Sequence, residues 1–265
     1  MAMLKNITIG QFIPGDSVMH RLDPRTKILT TFMFIILLFL VDSFIGYGLA
    51  ALLILTAVYL SKLPLKYVLR GIRPLLVIII LTLALHFFMT EGRVIWQLGF
   101  LKLTYEGLIR GLMMVSRLIL LVVGTSTLTL TTSPIMLTDG IESLLRPFKR
   151  LGVPAHELAM MMTIALRFIP TLVEETDKIM KAQMARGADF ESGNVFERAK
   201  SLIPILIPLF INAFRRADDL ATAMEARGYH GGEGRTKFRV LQFGLRDAIV
   251  FAMVTIFVVV VSIYF

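Results

Sequence analysis

The sequence predicts an all-α polytopic membrane protein with about five transmembrane helices and long amphipathic helices on the cytoplasmic side. Composition is the first reason, because the 265 residues are 56% hydrophobic and only 18% charged, unlike a soluble domain. The second reason is five apolar runs, most of which approach the roughly 17–25 residues that cross a bilayer. Helices are predicted throughout, since hydrocarbon offers no partner for open backbone groups.

The five apolar runs define the predicted spans in order. The first run is short, so it must recruit its flanks, tilt or meet a thinned bilayer. The fourth contains Arg110 and Arg117 on one helix face, and arginine within a membrane is costly and often functional. The alternative is structural, with Arg110 reaching the interface and Arg117 paired internally. The runs cover residues 28–41, 44–60, 75–89, 107–130 and 248–265.

The placement of Lys and Arg predicts how the spans are oriented. Basic residues precede the first span and fill the loop at 62–73, whereas the turn between the first two spans has none. The positive-inside rule therefore places a multi-pass protein in the cell membrane with its N-terminus cytoplasmic and its C-terminus external. We predict three parts: residues 1–131 with four spans, a cytoplasmic or interfacial region at 132–243, and a last span at 244–265.

The net charge of +9 does not require a nucleic-acid partner. Of the 28 Lys and Arg residues, 16 fall at 132–247 and most others flank the apolar runs, so topology accounts for the charge. Residues 1–27 are too polar for the apolar core of a signal peptide, and none is expected. Cysteine is absent, which excludes disulfides, thiol catalysis and thiolate metal sites.

Two amphipathic helices are predicted in the region at 132–243. Its apolar runs are expected to be broken by Pro170, Pro204 and Pro208. Two helices leave these prolines, and both are predicted to be amphipathic. These helices would start within or along the membrane and continue into the cytoplasm. The predicted apolar stripes are Ile169, Leu172, Val173, Met180 and Met184 in the first helix, and Ile207, Phe210, Ile211, Phe214, Ala217, Ala221 and Met224 in the second.

Both helices are predicted to end in the same tripeptide. The two copies, 41 residues apart, are Ala185-Arg186-Gly187 and Ala226-Arg227-Gly228. Glycine suits the position just past a helix end, where φ is often positive, so each arginine should lie in a last turn and project from a tip. The alternative is ordinary capping, in which the arginine complements the helix dipole. Two matching copies favour a docking role.

These paired tips resemble those of the transmembrane T component of energy-coupling factor (ECF) transporters, which import vitamins and some metal ions in prokaryotes. The segment at 20–27, His-Arg-Leu-Asp-Pro-Arg-Thr-Lys, is similar to that family's entry into the first span. The opening from Ile9-Gly10 to Pro14-Gly15 resembles the versions shared among several substrate-binding partners. With the five spans and the motif order, the resemblance covers nearly the whole chain.

The resemblance implies a non-catalytic subunit that links ATP hydrolysis to vitamin or micronutrient uptake. Each Ala-Arg-Gly tip is expected to dock in a groove on one of two ABC ATPase subunits, which are expected to form a heterodimer. Another face is expected to hold one or more small membrane proteins that capture the substrate, the S components. Methionine-rich apolar surfaces adapt to different partners, and the candidate contacts are Met160, Met161, Met180, Met184, Phe210 and Phe214.

No cofactor is expected in this chain, and ATP and Mg are expected on the ATPase partners. The sequence has no G-x-x-x-x-G-K-[ST] phosphate loop. Its four histidines are scattered, which favours packing or surface placement over a metal site. They are His20, His86, His156 and His230.

Two other classes remain open from the residues alone. A self-contained membrane permease without ATPase partners would line a midplane pathway with polar residues, which the first three spans largely lack. A membrane scaffold unrelated to transport would bind other proteins. The partners that co-purify with the chain distinguish these classes.

Overall fold

The structure of the protein is a computed structural model that describes residues 12–98, 101–190, 194–231 and 240–265. About 80% of the described residues are helical and few of them lie in strands, which confirms the predicted all-α membrane fold. The described residues fall into two compact units. The larger unit comprises residues 12–144 and 240–265, and the smaller unit comprises residues 145–231.

The described elements are mostly long helices. In chain order they are α1 (Val18–Arg21), α2 (Pro24–Leu40), α3 (Phe44–Ser61), α4 (Leu65–Arg70), α5 (Leu76–Met89), β1 (Val94–Leu98), β2 (Leu101–Thr104), α6 (Tyr105–Thr131), α7 (Pro134–Leu145), α8 (Ala155–Ala185), α9 (Val195–Ser201), α10 (Ile203–Ala226) and α11 (Leu245–Tyr264). Strands β1 and β2 pair antiparallel in the connection between the third and fourth predicted spans.

Helix α6 is the centre of the larger unit. It packs against α2, α3 and α5, while α11 packs against α2. Gly124 lets α6 approach α2 closely, because a Cβ at this position would stand 2.9 Å from the Phe34 ring. The core around this contact is aliphatic and includes Leu37, Leu38, Ala50, Ile54, Val123 and Leu130.

Five described helical segments have the length and apolar composition to cross a membrane. They are Phe44–Ser61, Leu65–Met89, Tyr105–Thr131, Ala155–Ala185 and Leu245–Tyr264. Four of these contain predicted spans, and the fifth is α8, which was predicted to start within or along the membrane. The remaining predicted span is α2, whose 17 residues agree with the shortness expected from the sequence.

The prediction that prolines break the apolar runs of the smaller unit is wrong for two of them. Pro170 lies inside the 31-residue α8 and Pro208 lies inside α10, while Pro204 occupies the first turn of α10. An interior proline removes one backbone hydrogen bond and costs about 3 kcal/mol. Ending the helix in apolar surroundings would expose several backbone groups without partners, so the helix continues.

Candidate functional site

The two predicted tips have the same backbone geometry. Arg186 caps α8 with φ −91° and ψ 8°, and Arg227 caps α10 with φ −90° and ψ 8°. Each arginine therefore lies one residue beyond the helix rather than in its last turn. Gly187 and Gly228 follow with φ of +89° and +72°, the left-handed region predicted for glycine at this position.

Backbone hydrogen bonds alone close each helix end. The two amides after each arginine donate back to carbonyls of the last turn, which is the Schellman pattern. The bonds are Ala188 N to Gln183 O and Gly187 N to Met184 O, both 3.0 Å, in the first tip, and Tyr229 N to Met224 O at 3.0 Å and Gly228 N to Glu225 O at 2.9 Å in the second. Ordinary capping thus explains the glycines, but the guanidinium groups take no part in closing the helix ends.

The arginine side chains of both tips are exposed. Arg186 and Arg227 are open to solvent, as are the alanines four residues before them, Ala182 and Ala223. Neither guanidinium forms a hydrogen bond or ion pair with any residue that the structure describes. Each tip therefore presents a free planar cation beside a surface of small residues, where an acidic or carbonyl-rich partner can approach closely.

Glu175 on α8 joins the two tip-bearing helices. Its carboxylate accepts a hydrogen bond from the side-chain amide of Asn212 and pairs with Arg216 at 3.2 Å, both on α10. Nearer the end of α8, Gln183 Nε2 lies 3.5 Å from the carbonyl oxygen of Pro204. Because the contact moves toward the start of α10 as it moves toward the end of α8, the helices run antiparallel.

The antiparallel packing separates the tips. Glu175 and Arg216 each precede a tip arginine by 11 residues, or about 17 Å at the α-helical rise. The tips therefore lie on opposite sides of the contact, with at most about 34 Å between them along the helices. A partner with two docking grooves would have to match this separation.

An exposed apolar stripe runs along α10. Ile207, Phe210 and Phe214 are 56%, 60% and 68% exposed, and their spacing places them on one helix face. Asn212 and Arg216 turn toward α8, so the apolar stripe is left open within the smaller unit.

The predicted methionine contacts do not all lie on an open surface. Met161 of α8 is 55% exposed, whereas Met160, Met180 and Met184 are half-buried. Two of the six predicted contact residues, Phe210 and Phe214, thus belong to the exposed stripe of α10, and Met161 is exposed on α8.

The segment at 20–27 begins the first helix of the membrane bundle. Asp23 caps α2 by accepting a hydrogen bond from Arg25 N at 2.9 Å, and Pro24 occupies the first turn. An Asp-Pro pair suits a helix start, because aspartate caps the first amides and proline fits the first turn. His20 is held in the same segment, where its ring nitrogens lie 2.9 Å from Ile13 O and 2.6 Å from Ser17 Oγ.

A buried polar junction ties this segment to two other helices. Asp23 N donates to the Asp247 carboxylate of α11 at 2.7 Å. Lys27 Nζ donates to Thr131 O at 3.1 Å and Thr132 Oγ1 at 3.2 Å, at the end of α6. Nothing in the sequence links Asp247 to this segment, so sequence reasoning missed it.

The two arginines of α6 have different surroundings. Arg117 Nε donates to the Tyr47 hydroxyl at 2.9 Å, and its Nη2 lies 3.3 Å from Val41 O and 3.5 Å from Asp42 Oδ1. Arg117 therefore joins α6 to the turn between α2 and α3. Arg110 is exposed. The geometry matches the structural alternative for Arg117 and brings the two arginines to no common site.

The described residues contain no group of three or more His, Asp or Glu side chains arranged to hold a metal ion. The opening from Ile9-Gly10 to Pro14-Gly15 resembles versions of the T component that several substrate-binding partners share. Residues 9–10 of this opening lie outside the described ranges.

Comparison with known proteins gives consistent matches over most of the chain. The profile of the CbiQ family, described as cobalt transport protein, matches residues 15–238. The chain is 66% identical to a protein of Thermosediminibacter oceani over 248 residues, which is 94% of each chain. It is 59% identical to a protein of Acidaminococcus fermentans over 93% of this chain and 92% of the relative. A Bacillus subtilis protein is 52% identical over 92% of this chain and 93% of its own. All three relatives are named energy-coupling factor transporter transmembrane protein EcfT.

Proposed function

The chain belongs to the CbiQ family and is the transmembrane component of an ECF transporter, and we propose that it couples two ABC ATPase subunits to the uptake of a vitamin or other micronutrient. In this proposal the chain catalyses nothing itself. ATP and Mg bind to the ATPase subunits, and an S component captures the substrate. The smaller unit transmits movement of the ATPase pair to the S component.

The observation that carries this proposal is the pair of tips. Arg186 and Arg227 extend from identical helix ends, are exposed, and have no partner among the described residues. A guanidinium on a rigid helix end suits a bidentate contact with carboxylate or carbonyl oxygens. Two such groups on opposite sides of one helix contact suit two related subunits, one for each tip.

The exposed stripe of α10 supports the proposed contact with an S component. Three large apolar side chains, Ile207, Phe210 and Phe214, lie open on one face. An apolar surface of this kind on a membrane protein fits an apolar helix of an integral membrane partner, which we assign to the S component. In this proposal α10 contacts the S component with its apolar face and an ATPase subunit with its tip.

The decisive experiment is co-purification from membranes with matched expression of all subunits. Arg186→Ala and Arg227→Ala together are expected to reduce the recovered ATPase subunits and substrate uptake, because a charge-assisted contact is worth about 1.5–3 kcal/mol. Each single change is expected to have a smaller effect, since each tip serves a different subunit. Recovery of the S component should change little.

Arg198→Ala is the matched control. Arg198 is an exposed arginine of α9 in the same unit, and no described residue pairs with its side chain. The control should retain ATPase subunits and uptake. Normal assembly and uptake by the double tip variant would contradict the docking role, and uptake by the chain without ATPase subunits would favour a permease.

A further inference from the structure

A cavity of about 330 Å³ lies among four helices of the larger unit. Its walls come mainly from α2, α3, α6 and α11, and they include Phe34, Ala57, Leu60, Gly124, Val254 and Phe257. Three of these four helices have the length and composition to cross a membrane, and α2 carries the predicted first span. Because these helices are expected to cross the bilayer, we expect hydrocarbon rather than water around the cavity.

The Thr31 hydroxyl has no hydrogen-bond partner among the described residues, whereas the other polar groups at the cavity already have partners. The hydroxyls of Thr30, Thr56 and Thr127 donate to carbonyls one turn earlier in their own helices, at 2.8, 2.7 and 2.7 Å. The Lys27 ammonium group donates hydrogen bonds to three oxygens of neighbouring segments. Apart from the Thr31 hydroxyl, these groups offer a polar or charged ligand no free donor, whereas an apolar cavity accepts apolar ligands.

The cavity occupies one end of the helix bundle. Lys27 and Phe34 of α2 both line it, and the seven residues between their positions correspond to about 10 Å along a helix. Most of its other lining residues lie within 53–60 of α3, 124–131 of α6 and 250–257 of α11, and Met19 and Leu22 precede α2 at that same end. The cavity thus extends about 10 Å along the bundle, which is less than the thickness of about 15 Å of one leaflet of the hydrocarbon core.

We propose that this cavity binds one acyl chain of a membrane phospholipid. An α-helix of a partner protein is about 10 Å wide with its side chains, too thick for this space. A single alkyl chain fits the volume and the apolar walls, and the bilayer supplies it at high concentration. The bound chain fills the gap between α11 and α3 and so holds α11 in the bundle. This inference does not depend on the tips or on the ATPase subunits.

The test uses the full transporter in phosphatidylcholine vesicles that contain a phosphatidylcholine with a photoactivatable diazirine in the middle of one acyl chain. After illumination, mass spectrometry of digested chain should locate adducts on the walls, at 53–60 and 250–257. Ala57→Phe fills the cavity from the half-buried face of α3. It should reduce these adducts about tenfold, because displacing two buried methylene groups costs roughly that factor in affinity.

Ala252→Phe provides the matched control. It introduces the same side chain on an exposed position of α11 that is not part of the cavity wall, and adduct yield should remain at the parent level. Thr56→Phe, at an exposed position of the cavity wall, replaces Ala57→Phe if the latter fails to assemble, and it should also reduce the adducts. Equal adduct yields in the parent and in these cavity variants would overturn the proposal. Lipid adducts found on other helix surfaces of the chain but not on the walls would overturn it as well.

Discussion

Gly187 and Gly228 contribute to the tips in a different way from the arginines they follow. A Cβ added at either glycine would meet nothing within 4 Å, so space is not what requires glycine there. The requirement is the backbone, since φ is +89° and +72° and an L side chain costs about 1–2 kcal/mol in that region. The glycine therefore determines where the chain turns away, and the arginine determines what the tip presents.

Gly228→Ala should weaken ATPase recovery although Arg227 is retained, because the strained cap displaces the guanidinium. We expect about 1 kcal/mol of local destabilisation, and less for Gly228→Asn because asparagine tolerates this conformation. Pull-down of the ATPase subunits at matched expression measures the effect. Gly152→Ala is the control, since Gly152 has a similar φ of +85° and open surroundings but belongs to no tip. An equal loss in both variants would indicate general destabilisation instead.

Helices α8 and α10 contact each other at equivalent positions of their repeat. Glu175 and Arg216 are separated by the same 41 residues as the two tip arginines, and they carry opposite charges. The pair is therefore centred between the tips, as in a pseudo-two-fold arrangement. We expect a displacement of one helix to act on the other through this contact, because packed helices can transmit a displacement.

Breaking the Glu175–Arg216 pair should loosen the two helices without removing either tip. Glu175→Ala, Arg216→Ala and the double variant form a cycle with an expected coupling energy of about 1 kcal/mol. Hydrogen exchange in the purified transporter should become about fivefold faster near the contact in either single variant. Lys181→Ala is the control, because the exposed Asp177–Lys181 pair is worth only about 0.3–0.5 kcal/mol. Additive effects of Glu175→Ala and Arg216→Ala would show that the pair carries no coupling.

The exposed stripe of α10 should select the membrane partner rather than the ATPases. Phe210→Asp places a charge in an apolar contact and should reduce S-component recovery about tenfold or more while ATPase recovery is largely retained. Met161→Asp on α8 should act in the same direction with a smaller effect. Phe196→Asp on α9 is the control, because Phe196 is 81% exposed and lies outside the stripe. Equal loss of both partners from the Phe210 variant would argue for a folding defect.

At the scale of the whole molecule, features that local sequence encodes could be predicted, whereas contacts between distant parts of the chain could not. The spans follow from apolar runs, and the tips follow from a tripeptide whose glycine has one common use at a helix end. The bond between Asp23 and Asp247 joins residues 224 positions apart, and no local pattern encodes such a distance. Pro170 misled the prediction because proline's local penalty is smaller than the cost of open backbone in apolar surroundings.

The charges of the whole chain predict its orientation in the membrane, and this prediction can be tested directly. Basic residues flank the start of α2 and the segment between α3 and α5, and 16 of the 28 Lys and Arg residues lie between α6 and the early part of α11. If these parts are cytoplasmic, as the positive-inside rule predicts, the tips face the ATPases and the end of α11 faces outward. A reporter active only in the cytoplasm, fused after Phe265, should therefore give no signal. The same reporter inserted after Gly152, in an exposed turn before α8, should be active. Strong activity after Phe265 would contradict the orientation and place an even number of crossings between the two ends.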